Sequence, residues 1–393
     1  MSITNKFQGG EKMKKLFNIF AIALSVMICT VMIGCGGSSS NQSQNEEKNN
    51  VQQEENTGKK VIKDQVGHEV EIPEKINRVV ISSLWPLPSV YCLFQGSGEG
   101  LVGMHPASKS AAENSLLMKI APEVSKANTD FIQNGELNVE ELMKLKPDVV
   151  FGSNDAEYEM VTKAGIPYVQ FVANPTGTGN AIESVGQWMK LLGEIFNKED
   201  RAEEIMNYGN ETLSKIQEKL SSVSDDDKVR ALMIYQYKDG SLQVSGKNFF
   251  GDFWLKSGGA INVAEEINGP KEVNMEQIYE WNPEKIYITN FTPLQPEDFY
   301  NNSIEGDDWS NVKAVQNKEV YKIPLGMYRW FPPSSDTPLM LKWIAKENYP
   351  EIFSDVDMNK EVKDYYVKFY GLELTDEEVE KIFNPSREAA DGV

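Results

Sequence analysis

The chain is poor in cysteine, in histidine and in positive charge. Of its three cysteines, Cys29 and Cys35 fall in or at the edge of an N-terminal apolar run, so only Cys92 belongs to the rest of the chain and no intrachain disulfide can form there. The two histidines are His68 and His105. A receptor for a bare Zn²⁺ or Mn²⁺ ion wants several imidazoles with carboxylates. An acid–base enzyme most often uses histidine as well. The scarcity weighs against both. Lysine and arginine number 39 against 59 aspartates and glutamates, a formal charge of −20. Phosphate backbones are bound by basic clusters, so no nucleic-acid partner is expected. No Walker motif, nucleophile elbow or HExxH is present. Gly98 to Gly103 spells GxGxxG, but a helical pattern precedes it and a strand follows, the reverse of a dinucleotide fingerprint.

What is present begins with Lys12, Lys14 and Lys15 ahead of an apolar run over residues 16–33, the pattern of a secretory signal. The run nearly reaches spanning length, but Asn18, Ser25 and Thr30 interrupt it and Met32-Ile33-Gly34-Cys35 ends it. That ending resembles a bacterial lipobox, which makes Cys35 the expected lipidated N-terminus. Residues 1–35 therefore read as a signal peptide and 36–58, rich in Ser, Gln, Asn and Glu, as a flexible tether. MKKLFNIF from Met13 is a more usual signal start than Met1, and Gly9-Gly10-Glu11-Lys12 can be encoded by a ribosome-binding sequence, so translation is expected to begin at Met13.

The length of 393 residues suggests two domains. A hairpin is expected around Gly67-His68, then a buried strand over residues 78–82. Short apolar strands at 101–104, 148–152 and 168–172 alternate with helices, the pattern of a parallel sheet covered by helices. A long helix spans roughly residues 198–222. A second α/β series follows, with strands at 231–235, 242–244, 286–289 and 320–323, a helix over 248–256, and another opened by Thr337-Pro338 with Thr337 as its cap. The expected architecture is α/β: two Rossmann-like lobes with parallel sheets (residues 59–197 and 224–384), one rigid joining helix (198–223), a ligand cleft between the lobes and a tail (385–393).

One pattern occurs twice. NVEELMKLKPDVVFGSN starts at Asn138 and NMEQIYEWNPEKIYITN at Asn274. In each, an Asn caps a short amphipathic helix, a proline ends it and a buried strand follows. Together with the lipobox, KDQVGHEVEIPEKINRVVIS, AGIPYVQF, SGGAINVA and PLMLKWIAKENYPEIF, the repeat resembles the substrate-binding lipoproteins of ABC importers for ferric siderophores, cobalamin and haem. The resemblance covers about residues 60–353. It implies a bilobal receptor, not an enzyme, with no cofactor of its own and a transported iron or cobalt chelate as ligand. It also implies a monomer anchored on the outer face of a bacterial cytoplasmic membrane. Its partner would be an ABC permease dimer with its ATPase, met by one exposed glutamate on each lobe, here Glu140 and Glu276.

In open α/β sheets ligands lie beyond the carboxyl ends of the strands. The residues at those positions are Trp85, His105, Asn154, Tyr235, Tyr237, Lys247, Phe249, Asn290, Tyr328, Arg329 and Trp330. Aromatic rings with Arg and Lys suit the organic body and charge of a metal chelate. Core packing competes for each ring and is the preferred explanation for Trp188 and Trp343. Arg329 is the candidate for pairing a ligand carboxylate or catecholate. No direct metal ligand is assigned, His105 being the one candidate.

Overall fold

The structure, a computed structural model, describes residues 58–393 apart from Asp239. The expected signal peptide, Met13, Cys35 and all of the tether but Gly58 lie outside the described residues. Among those described, no helix is long and apolar enough to cross a membrane.

The first lobe opens with the expected hairpin, β1 (Lys59–Lys63) and β2 (Glu69–Pro73). Its turn is organised by the buried carboxylate of Asp64, which accepts from the N–H groups of Val66 and His68 and also from Gln170 N at 3.2 Å. The sheet consists of β3 (Val79–Ile81), β4 (Leu101–Met104), β7 (Val149–Gly152) and β8 (Tyr168–Gln170), in the order β4-β3-β7-β8 and parallel throughout. β3 and β7 are buried along their whole length, as strands covered by helices on both faces are. A small hairpin, β5 (Ile132–Gln133) and β6 (Glu136–Leu137), stands apart.

The second lobe holds β9 (Arg230–Lys238), β10 (Ser241–Ser245), β11 (Ile261–Asn262), β12 (Pro270–Val273), β13 (Lys285–Ile288) and β14 (Val320–Lys322). The order is β12-β10-β9-β13-β14, with β11 beside the start of β9. This sheet is mixed, not wholly parallel: β9, β13 and β14 run together, while β10 and β12 are antiparallel to their neighbours. A hairpin from β9 into β10 makes this pair antiparallel, where a parallel sheet was expected.

The long helix is Glu199–Leu220, 22 residues and about 33 Å at 1.5 Å per residue. Ala202, Ile205, Gly209, Thr212 and Ile216 form its buried stripe at alternating steps of three and four. It packs on the Leu87–Gln95 and Ala181–Phe196 helices of the first lobe and on Phe250–Ser257 and Thr337–Asn348 of the second. Near its start, Arg201 donates to Leu93 O at 3.1 Å in the first lobe and to Phe369 O at 3.2 Å in the C-terminal helices.

The repeated segments form matching elements. Asn138 caps Val139–Lys144 by accepting from Glu141 N at 3.2 Å, and Asn274 caps Met275–Trp281 by accepting from Gln277 N at 3.0 Å. Leu142 and Ile278 are the buried anchors, and each helix leads into a central strand, β7 or β13. Thr337, by contrast, is the first residue of its helix and Asp336 takes the cap position without capping it. The Asp336 carboxylate turns back to the preceding loop instead, accepting from Met327 N at 2.7 Å. Loss of either Asn cap should cost about 1 kcal/mol. Urea unfolding of Asn138→Ala and Asn274→Ala should therefore show similar, modest drops in midpoint; no drop for one would remove its capping role.

Candidate functional site

The first lobe's side of the site is built on a buried carboxylate. Asn154 caps the Asp155–Lys163 helix, its Oδ1 accepting from Ala156 N at 2.8 Å and Glu157 N at 3.3 Å. This places Glu157 in the first turn, beneath the ends of β3 and β7. Its Oε2 accepts from Ser82 Oγ at 2.6 Å, Ser83 Oγ at 2.9 Å and the Tyr168 hydroxyl at 3.0 Å. Three donors on one oxygen compensate the burial of this polar group, which no cation meets in these contacts. Burial, with Glu157 adjacent, raises the Tyr168 pKa and keeps the phenol protonated as a donor. Gly152 makes the cluster possible, because a β-carbon there would stand 2.0 Å from the Tyr168 hydroxyl.

Above this floor the chain turns through Leu84, whose φ of 63° is left-handed and strained for a residue with a side chain. Trp85 follows and stacks on His105, ring centroids 5.5 Å apart at 29°. Ser108 Oγ holds the Trp85 carbonyl at 3.0 Å. His105 caps the Pro106–Glu113 helix, its Nδ1 accepting from Ala107 N at 3.0 Å. An Nδ1 that accepts leaves the ring proton on Nε2. Burial lowers the His105 pKa, with Glu157 opposing it, which favours the neutral ring. His105 so placed offers an N–H donor rather than a lone pair. Direct metal ligation therefore does not fit this arrangement.

In the second lobe, Tyr235 is the hub of an aromatic group. Phe249, Phe291 and Phe331 stand 5.2, 5.5 and 5.6 Å from it, and Phe249 is 5.6 Å from Phe331. Burial raises the Tyr235 pKa, so its hydroxyl stays neutral. The lobes meet on two flanks of this region. On one, Asn174 Nδ2 donates to Asn248 O at 3.2 Å, and Gly179, at φ 76°, comes so close that a β-carbon would lie 2.4 Å from the Phe249 carbonyl. On the other, Ser115 Oγ donates to Met327 O and Leu116 N to Gly326 O, each at 3.0 Å.

Other expected residues stand elsewhere. Tyr328, Arg329, Trp330 and Asn290 are buried. Trp330 packs edge-on against Phe383. Asn290 Nδ2 ties the end of β13 to the chain after β14 through Ile323 O at 2.8 Å. Arg329 is turned onto the C-terminal segment, donating to Ala389 O and Asp391 O. The cause is Asp336, whose buried carboxylate gathers the Met327 and Tyr328 N–H groups and the Tyr366 hydroxyl and folds the loop inward. Burial lifts the Asp336 pKa to about 7. Tyr237 packs with the second lobe's own core, its hydroxyl 3.5 Å from Glu305 O. Lys247 and Asn154 are exposed. Glu157 and Phe331 were not anticipated. The Asn-x-x-Glu spacing of 154–157 carried a signal for the first; Phe331 had none beyond its place after the last strand.

Glu140 and Glu276 are both exposed, each the second residue of its capped helix, while Glu141 pairs with Lys144 at 2.7 Å. One turn on, at matching positions, Met143 and Tyr279 are 52% and 42% exposed. A cavity of about 540 Å³ lies apart from all these site residues, lined by Tyr321, Lys322, Trp343, Glu347 and Asn384 among others.

With this arrangement in view, likeness to known proteins is informative. Residues 104–325, more than half of the chain, match the periplasmic binding protein family. The chain belongs to that family: it is an extracytoplasmic solute-binding receptor of ABC import systems, not an enzyme. It is 29% identical to the molybdate-binding protein MolA of Haemophilus influenzae over 79% of this chain and 91% of that one. It is 24% identical to the ABC transporter substrate-binding lipoprotein YvrC of Bacillus subtilis, over 87% of this chain and 100% of that one. Among solved structures, a periplasmic solute binding protein from Veillonella parvula matches with a TM-score of 0.75 and 34% identity, covering 84% of this chain and 98% of that one. The two-lobed fold expected from the sequence is the fold of these proteins.

One buried cation in the second lobe makes stability depend on pH. Lys322 Nζ donates to the carbonyls of Thr289, Thr292 and Leu294 and meets no carboxylate in these contacts. Burial lowers its pKa from 10.5 to about 7. Below pH 7 both states carry the proton and folding bears the whole cost of burying the charge. Between about 7 and 10.5 only the unfolded chain keeps it, so stability rises with pH. The melting temperature should climb from pH 7 to pH 9, with a flatter profile in Lys322→Met; an identical slope in the variant would exclude Lys322 as its source.

Proposed function

We propose that the protein captures a metal chelate, a ferric siderophore first of all or else cobalamin or haem, and delivers it to an ABC permease. The observation that carries this reading is the aromatic group of Tyr235, Phe249, Phe291 and Phe331, with the Arg329 guanidinium 5.3 Å from the Phe291 ring centre. Rings at the carboxyl ends of one sheet, and the Trp85–His105 stack at the ends of the other, suit the flat or bulky organic shell of a chelate. Among the residues expected to bind, Trp85, His105, Tyr235 and Phe249 form the direct contacts of this proposal, and Arg329 supplies the charge.

A second reading is a small metal oxoanion. The likeness to a protein named as molybdate-binding favours it. With its Nδ1 engaged by Ala107 N, His105 keeps an Nε2–H free to donate to a tetrahedral oxygen. Titration of the purified protein with ferric siderophores, haemin, cobalamin and molybdate, followed by tryptophan fluorescence, separates the two. Quenching by a chelate supports the first reading, saturable quenching by molybdate alone the second, and no response to any of them removes both.

Cys35 is proposed as the lipid anchor, with the tether giving a monomeric receptor reach above the membrane. Glu140 and Glu276 are proposed to dock on basic residues of the permease dimer that works with its ATPase. Two carboxylates in equivalent positions match the two-fold of a dimer, and such pairs set register and encounter rate. Met143 and Tyr279 supply apolar contact beside them. Reversal of both charges in Glu140→Arg/Glu276→Arg should abolish uptake and leave ligand affinity unchanged; weakened ligand binding, or uptake at the normal rate, would refute the docking role.

A further inference from the structure

Residues 386–393 run from one lobe to the other beside the site. Arg387 pins their start to the second lobe, its Nη1 and Nη2 meeting the Asp298 carboxylate at 2.7 and 2.8 Å and Nη1 reaching Pro293 O at 3.0 Å. A short turn, Arg387–Ala390, buries Ala389. Arg329 then donates from Nε to Ala389 O and from Nη2 to Asp391 O, both at 2.9 Å. Gly392, at φ 80°, comes next. A β-carbon there would stand 2.9 Å from Ser110 Cβ and 3.5 Å from Ala107 Cα. Both belong to the first-lobe helix that His105 caps.

Arg329 is badly matched by this company. It is fully buried, and among the described residues no carboxylate forms an ion pair with it. Its other donor contact is the Tyr328 hydroxyl at 3.3 Å, and the Phe291 and Tyr328 rings flank it. Backbone carbonyls satisfy N–H groups but leave the charge uncompensated, which is costly in the interior. Charged acceptors bind a guanidinium roughly twice as strongly as neutral ones. The carbonyls of Ala389 and Asp391 thus occupy positions that two oxygens of an anion would fill better.

We infer that segment 386–393 is a built-in stopper: it masks an anion subsite at Arg329, and a carboxylate, catecholate or oxoanion oxygen of the ligand displaces it. This rests on the receptor reading above and narrows it, since a neutral complex gains nothing from Arg329. It also makes segment 386–393 a report of occupancy, held across the lobes when the receptor is empty and released when it is loaded. Because the ligand competes with a tethered segment, apparent affinity is reduced by the fraction of molecules in which the stopper is seated.

Truncation after Glu388 leaves the Arg387–Asp298 pin and removes the competing carbonyls. If the stopper is seated most of the time, the truncated chain should bind an anionic ferric tris-catecholate or molybdate about tenfold more tightly than the full chain. A neutral ferric tris-hydroxamate should show no such gain, and Arg329→Met in the truncated chain should remove it. Unchanged or weaker anion binding after truncation would overturn the inference. The pair Ser110→Cys/Gly392→Cys tests it from the other side: the oxidised, stapled chain should lose anion binding and recover it on reduction, and equal binding in both forms would be a second refutation. Binding of no probe by any form defeats the receptor reading, and the stopper is then judged without a ligand. Sulfate needs only the guanidinium, so amide exchange at 389–393 should accelerate in sulfate relative to chloride at matched ionic strength; equal rates would sink it.

Discussion

The Glu199–Leu220 helix lays one stripe of small and branched side chains against helices of both lobes, and this contact fixes the angle at which the two sheets present their carboxyl ends. A single packed helix resists the wide bending that flexible connecting strands permit. The flanking contacts, Asn174 to Asn248 on one side and Ser115 to Met327 on the other, add a few neutral hydrogen bonds. Each such bond contributes only about 1 kcal/mol net, so small adjustments of the facing surfaces remain cheap while large ones are opposed by the helix. The geometry suits a receptor that grips its ligand with modest closure.

Four buried ionisable groups, Glu157, Asp336, Lys322 and Arg329, are compensated in different ways. Glu157 receives three donors and sets the floor under Trp85 and His105. Asp336 draws in a loop, and burial lifts its pKa to about 7. Burial shifts Lys322 in the opposite sense. Arg329 is the one of the four held by backbone carbonyls of segment 386–393, those of Ala389 and Asp391.

Much of the fold was legible because periodicity and turn chemistry are local. Strand 101–104 was read to the residue, the paired Asn-capped helices followed from spacing, and the long helix from its amphipathic stripe. The direction of β10 was missed although Asp239-Gly240 lies between two apolar alternations, a strong hairpin signal. The site was less legible. Position after a strand pointed to Trp85, His105, Tyr235 and Phe249, the contacts proposed above, but it could not show that Asp336 would pull Tyr328, Arg329 and Trp330 inward, since that depends on the burial of one carboxylate. Nor could it show that residues far along the chain, at 389–392, would close on Arg329.

The central claim is that ligand sits between the lobes, against the Trp85–His105 stack on one side and the Tyr235 group on the other. The most direct measurement is a crystal structure of the protein with a bound metal complex. The account predicts ligand density in contact with Trp85 and with Tyr235 or Phe249 at once. Density instead in the separate cavity of about 540 Å³ beside Lys322, Trp343 and Glu347, with the faces of the two lobes empty, would contradict it.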